Sequence, residues 1–273
     1  MNKTIWTFWE NNETNDNFII NKCIKTWYDF NKDWNIIILN NNNLEKYIKN
    51  IPNKLNNYSI QNRSDFYRIY ILYYYGGVWL DTSIFFNISI DYFIKDNESK
   101  CILFKEKFNT DEDVYCAWMI ISLYKKNLFL KKCLDELLDY FYNPKKFLIN
   151  TESKYNKSYL KYENWCNFFN KCISNKDKEV YLETHFYLYL IFIKIIDNNL
   201  INNDLIYFYD ALEFGRYHKK FANNFKDIIN NFKFINIKEN NFIKLASCER
   251  RLINNIIKSN DYNNSSFINK IAN

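Results

Sequence analysis

The sequence predicts an α/β fold, and three observations carry that prediction. Strand-like and helix-like segments alternate through the first half of the chain. Residues 34–39 are an almost continuous apolar run of the kind found inside a parallel sheet. A helix-like segment then closes on Gly76-Gly77, and the short apolar strand that follows ends in Asp81.

In order along the chain, residues 3–9 read as a strand. Residues 17–30 read as a helix with Phe18, Ile20, Cys23, Ile24 and Trp27 on its apolar side. Residues 34–39 give a second strand, and 44–49 a short helix that must stop before Pro52. Residues 62–75 form a helix that Gly76-Gly77 ends, residues 78–80 a strand, and 100–105 another. In the second half, residues 113–125, 128–142 and 184–197 read as helices, the last buried because 186–196 is apolar apart from Lys194. Residues 143–164 are polar, carry Pro144, and read as a mobile loop or lid. The Asn- and Ser-rich tail from Asn254 reads as loosely ordered.

Composition sets the limits. Hydrophobic residues make up 48% of 273, enough for a globular core, which excludes a disordered polar chain despite the many Asn and Lys. The net charge of +6 suits anionic partners. It is spread along the chain, without the dense basic run of a nucleic-acid arm or a patch that interleaves cations with aromatics. Seven cysteines, an odd number without a C-x-x-C pair, read as reduced thiols in a cytoplasmic protein. No apolar stretch reaches membrane-spanning length.

The chemistry concentrates in Ser64-Asp65-Phe66-Tyr67-Arg68 and in Gly76-Gly77-Val78-Trp79-Leu80-Asp81-Thr82-Ser83. Asp65 and Arg68 stand three apart, so they project from one helix face. Phe66, Ile69 and Tyr73 lie on another face that can bury against a sheet. Open α/β sheets bind ligands at the carboxyl ends of their strands, so Asp65, Arg68 and Asp81 converge on one pocket. A carboxylate followed two residues later by a hydroxyl, as in Asp81 and Ser83, can hold a hard cation through oxygen. Singly, each feature has a plainer reading: a turn residue after a strand, or a surface ion pair of little worth. Their combination favours a site.

These segments resemble the signature of sugar-nucleotide glycosyltransferases with a DXD motif. The nearest likeness is to the capsular polysaccharide synthesis glycosyltransferases, and a more distant one is to the glucosyltransferase domains of large clostridial toxins. Ile5-Trp6-Thr7-Phe8-Trp9-Glu10 resembles the family's first strand, and Cys23-Ile24-Lys25-Thr26-Trp27 the stretch after it. The likeness is specific over residues 3–90 and weak beyond, where Ala117-Trp118-Met119-Ile120 and Lys244-Leu245 echo family positions faintly.

The resemblance implies a single GT-A type domain: a Rossmann-like nucleotide-sugar-binding half over residues 1–110 and a mostly helical acceptor-side half over 111–273. It implies transfer of a sugar, with retention, from a nucleotide-sugar donor such as a UDP-sugar. The acceptor is a glycan, polysaccharide or lipid-linked saccharide. Asp81 and Arg68 take the catalytic positions, and Thr7, Trp9, Asp65, Arg68 and Asp81 the donor-binding ones, with Trp9 stacking on the base. Asp81, Ser83 and His185 match the metal positions for Mn²⁺ or Mg²⁺, with Ser83 standing where relatives have a second Asp. His218 reads as part of a basic surface loop, and Glu249, Arg250 and Arg251 as residues that approach the diphosphate. No nucleic acid is implied; peripheral association at the cytoplasmic membrane face is compatible with the basic charge. The missing second carboxylate keeps one rival in play, a non-catalytic member that binds nucleotide or glycan without turnover.

Overall fold

The structure, a computed structural model, describes residues 1–10, 17–49, 51–107, 113–143, 187–216, 225–234, 242–263 and 266–272. It is α/β, as expected. Strands β1 (Thr4–Phe8), β2 (Asn35–Leu39) and β3 (Gly77–Leu80) pair in parallel with β1 in the middle. Strand β6 (Asp113–Ser122) runs antiparallel to β3 and to β5 (Cys101–Lys107), which pairs in parallel with β7 (Ile206–Asp210). The result is one mostly parallel six-stranded sheet in the order β2-β1-β3-β6-β5-β7. Strands β4 (Ile84–Phe85) and β8 (Ile243–Lys244) form a separate antiparallel pair.

Nine α-helices lie among the described residues: α1 (Asn17–Phe30), α2 (Leu44–Tyr47), α3 (Ile60–Tyr75), α4 (Asp91–Ile94), α5 (Leu128–Tyr142), α6 (Tyr187–Ile196), α7 (Phe225–Phe234), α8 (Ser247–Ser259) and α9 (Phe267–Ala272). Side chains alternate across the pleat and bury both faces of the sheet. Trp6, Trp79, Leu103, Ala117 and Ile120 pack in one cluster with residues of α3, α5 and α6. Ile5, Val78, Ile102, Phe104 and Trp118 pack in another with Trp27, Phe86, Phe93 and Phe242. A third cluster joins Ile19 and Cys23 of α1 to Ile253 of α8 and Phe267, Ile268 and Ile271 of α9.

The helix that leads to the site begins and ends on local signals. Ser59 caps α3 by accepting from the Asn62 amide at 3.3 Å. Gly76 ends it at φ 71° and donates its amide to the Leu72 carbonyl. Gly77 follows at φ 106°, and a Cβ there would stand 2.4 Å from the Thr4 carbonyl oxygen. Only glycine satisfies both conditions.

Three expectations are corrected. Residues 113–122 form a central strand where a helix was expected over 113–125. Val114 through Ile121 are all buried, so the segment lacks the alternation that marks a half-buried strand. Residues 35–39 form an edge strand with Ile36, Ile37 and Ile38 only partly buried, so their apolar run does not mark the middle of the sheet. The tail from Asn254 continues α8 and reaches α9, anchored by Ile256, Phe267 and Ile271. The expected loop or lid over 143–164 lies outside the described residues apart from Asn143, as do residues 184–186. No described helix is long and apolar enough to cross a membrane. The cysteines Cys23, Cys101, Cys116, Cys133 and Cys248 are free thiols, four buried and one exposed.

Candidate donor-binding cleft

A cleft of about 480 Å³ opens at the carboxyl ends of β1 and β3. Thr7 and Trp9 line it from β1 and the residue just beyond it, Asp65 and Arg68 from α3, and Asp81 and Ser83 from the turn after β3. The far wall comes from the second half of the chain: Tyr189, Lys244, Ser247 and Arg250. The backbone explains why the first set meets. The parallel pairing sets Ile5 against Val78 and Trp6 against Trp79, so β1 and β3 end side by side. The glycine pair then folds α3 back over that edge.

Arg68 is the hub. Its Nη1 donates to the Ala117 carbonyl at 2.6 Å and lies 3.1 Å from Asp65 Oδ1, while Nη2 donates to Asp81 Oδ1 at 3.0 Å. The guanidinium lies 5.5 Å from the centre of the Trp79 ring. Arg68 and Asp65 are buried, whereas the Asp81 side chain keeps 28% of its surface exposed, which leaves it accessible to a ligand.

Asp81 Oδ2 accepts from Lys244 Nζ at 2.8 Å, and the same ammonium donates to Ser83 Oγ at 2.7 Å. This contact is built by backbone. Ile84 and Phe85 pair with Lys244 and Ile243, and the Leu245 amide donates to the Ser83 carbonyl at 2.9 Å. The lysine is thus fixed opposite the turn that carries Asp81 and Ser83.

The charges respond to these neighbours. Burial pushes the Asp65 carboxyl up to about 7, against the pull of Arg68 and with Asp81 adding to the rise. Burial also works against the charge on Asp81, but Lys244 and Arg68 outweigh it and hold that carboxyl below its usual range. Burial lowers Lys244 from its ordinary value, with Asp81 opposing. Two carboxylates 16 residues apart in the sequence are therefore pushed in opposite directions by unequal solvation and unequal cation contact.

At the turn after β3 a divalent cation would meet the Asp81 carboxylate and the Ser83 hydroxyl, both already bonded to Lys244, while Asp65 on the same cleft is held by Arg68 and Glu10 lines the cleft as well. Among them no group of three or more His, Cys, Asp or Glu is placed to hold a metal ion. His185 and His218 lie outside the described residues. Of the C-terminal trio, Arg250 lines the cleft and Arg251 is exposed. Glu249 is buried and accepts from the Ala246 amide at 2.7 Å at the start of α8.

Thr7, Trp9, Asp65, Arg68, Asp81 and Ser83 are thus brought into one cleft. Lys244 and Tyr189 were not among the residues expected there. Lys244 could have been suspected from its place between Ile243 and Leu245, where a lysine flanked by apolar residues is set on a partly buried strand. A second cleft, lined by Trp9, Glu10, Asn21, Ile24 and Asn40–42, shares Trp9 and Glu10 with the first.

Comparison with known proteins adds a family. The family described as capsular polysaccharide synthesis protein matches residues 1–150 of the chain, which include Asp65, Arg68, Asp81 and Ser83. Among solved structures, a chain titled "PaToxG Glycosyltransferase" is similar over 69% of this chain and 87% of its own length. The sequence identity is 14% and the TM-score 0.38, a likeness too slight to support an inference. No curated protein matches the sequence.

Proposed function

The chain belongs to the capsular polysaccharide synthesis protein family, and we propose that it is a glycosyltransferase that moves a sugar from a nucleotide-sugar donor to a growing glycan. The observation that carries this reading is the buried Arg68 bridging Asp65 and Asp81 beneath a cleft at the carboxyl ends of parallel strands. Ligands of open α/β sheets bind at such an edge.

The cleft supplies what a nucleoside diphosphate requires. Trp9 offers a flat indole for the base. Asp81, ionised and partly exposed, can accept hydrogen bonds from ribose or sugar hydroxyls. Arg68, Arg250 and the amino end of α8, which begins at Ser247 on the same wall, place positive charge for the phosphates. In glycosyl transfer the donor's sugar–phosphate bond breaks and negative charge grows on the departing diphosphate. Fixed cations that face this charge lower the barrier. A UDP-sugar is the first donor to try, and a polysaccharide or lipid-linked saccharide the first acceptor. Retention is the stereochemical outcome that the resemblance implies.

A thermal-shift screen of UDP-, GDP- and CMP-sugars tests the donor assignment. A donor at about a hundred times its Kd adds about 2.7 kcal/mol to the folded state, a rise of several degrees in Tm. Stabilisation by one of these families, and loss of it in Arg68→Ala after correction for that variant's own stability, is the expected result. No response to any nucleotide sugar would overturn the reading.

A further inference from the structure

We propose that Lys244 is the resident cation of this cleft, and that its ammonium takes the place that a divalent metal would fill between Asp81, Ser83 and a donor diphosphate. The inference rests on the nucleotide-sugar reading and adds to it a residue and an ion requirement.

The donor set argues for it. A divalent metal binds several oxygens at about 2.0–2.6 Å, with carboxylates supplying the compensating charge. Here Asp81 Oδ1 is bonded to Arg68 and Oδ2 to Lys244, while Ser83 Oγ is bonded to the same ammonium. The two atoms that a metal would need are already held at 2.8 and 2.7 Å by one cation. A further cation at that turn would stand against both Lys244 and Arg68, which already share the Asp81 carboxylate between them.

The construction argues for it as well. The two-stranded β4–β8 sheet pins Lys244 opposite Ile84, and the Lys244 amide donates to the Gly215 carbonyl at 2.7 Å. The Lys244 side chain is only 12% exposed, so its carbon stem is packed and its head is fixed. An ammonium has three donors, and Asp81 and Ser83 take two of them. The third suits a phosphate oxygen in the cleft that Lys244 lines. The hydroxyl at Ser83 then has a reason. A lysine needs one carboxylate and one neutral acceptor to be held, whereas a second aspartate would over-neutralise it and repel the phosphate.

The test is UDP and GDP binding to the full chain by calorimetry, in EDTA and in excess Mn²⁺. The wild type should bind one of them in EDTA, with affinity that changes less than about three-fold on adding Mn²⁺. Lys244→Ala should weaken that binding in EDTA by about ten-fold or more, and Lys244→Arg should recover most of it. The loss should be much smaller for UMP or GMP, which lack the second phosphate; a merely structural lysine would weaken both alike. Wild-type binding that appears only with Mn²⁺ would overturn the inference while leaving the nucleotide reading intact, and needs no variant to fold. Unchanged affinity in folded Lys244→Ala would overturn it too. Failure of both diphosphates to bind in either condition would overturn this inference, and the thermal-shift screen, which includes CMP-sugars, then decides the nucleotide-sugar reading separately.

Discussion

Arg68 of α3 donates through Nη2 to Asp81 Oδ1 at 3.0 Å, so the helix wall and the strand end of the cleft are tied by one buried guanidinium. The tie is structural as well as chemical. Arg68→Ala leaves Asp65 buried without its partner, and the loss of one member of such a pair costs about 3–5 kcal/mol. Arg68→Lys restores charge but not the fork that spans two carboxylates and the Ala117 carbonyl, so it should recover only part of the loss. Urea denaturation measures both. A change below about 1 kcal/mol for Arg68→Ala would show that the network contributes little to the fold.

Gly77 is the backbone counterpart. At φ 106°, with the Thr4 carbonyl 2.4 Å from where a Cβ would stand, Gly77→Ala must either strain β3 or push it off β1. Destabilisation of about 3 kcal/mol or more, or failure to yield soluble protein, is expected. A variant with wild-type stability would mean that β1 and β3 are not packed as described.

Asp65 makes the fold sensitive to pH in a defined direction. Its carboxyl is raised to about 7 from an ordinary 3.8, chiefly by burial. Between those values the folded chain keeps a proton that the unfolded chain releases. The contribution of Asp65 to stability is therefore complete below about pH 4 and is lost as pH rises through about 7. Asp81, held below its ordinary value, behaves oppositely, and its contribution is lost only in acid. Asp65→Asn cannot titrate. The stability of wild type minus that of Asp65→Asn should thus fall from pH 5 to pH 8, as followed by urea unfolding. A difference that is flat or rises across this range would contradict the burial assigned to Asp65.

How much was legible follows from how local each signal is. Helices α1 and α5 were readable to the residue, because apolar spacing and flanking polar residues mark their ends. Asp65, Arg68 and Asp81 were placed in one cleft because helix spacing, a glycine pair and a strand end are all short-range features. Strand β6 was misread because a strand buried on both faces carries no period, and its Trp118, Met119 and Ile120 suit a helix equally well. The tail was misread from its Asn content, although Ile253, Ile256 and the Phe267–Ile271 pair had the spacing of buried helix faces. Lys244 reaches Asp81 across 163 residues, and no local pattern reports a contact of that range.

Transfer of a sugar from a nucleotide can be tested without knowing the acceptor. Water intercepts an activated sugar slowly, so a glycosyltransferase leaks nucleoside diphosphate from its own donor. Release of UDP from a panel of UDP-sugars, followed over hours with wild type and Asp81→Asn, measures this leak directly. Slow release from one donor in preference to the rest is expected, with a fall of about a hundred-fold or more in folded Asp81→Asn. A wild type that binds a UDP-sugar yet releases no UDP, or an Asp81→Asn variant that releases it at the wild-type rate, would contradict sugar transfer at this cleft.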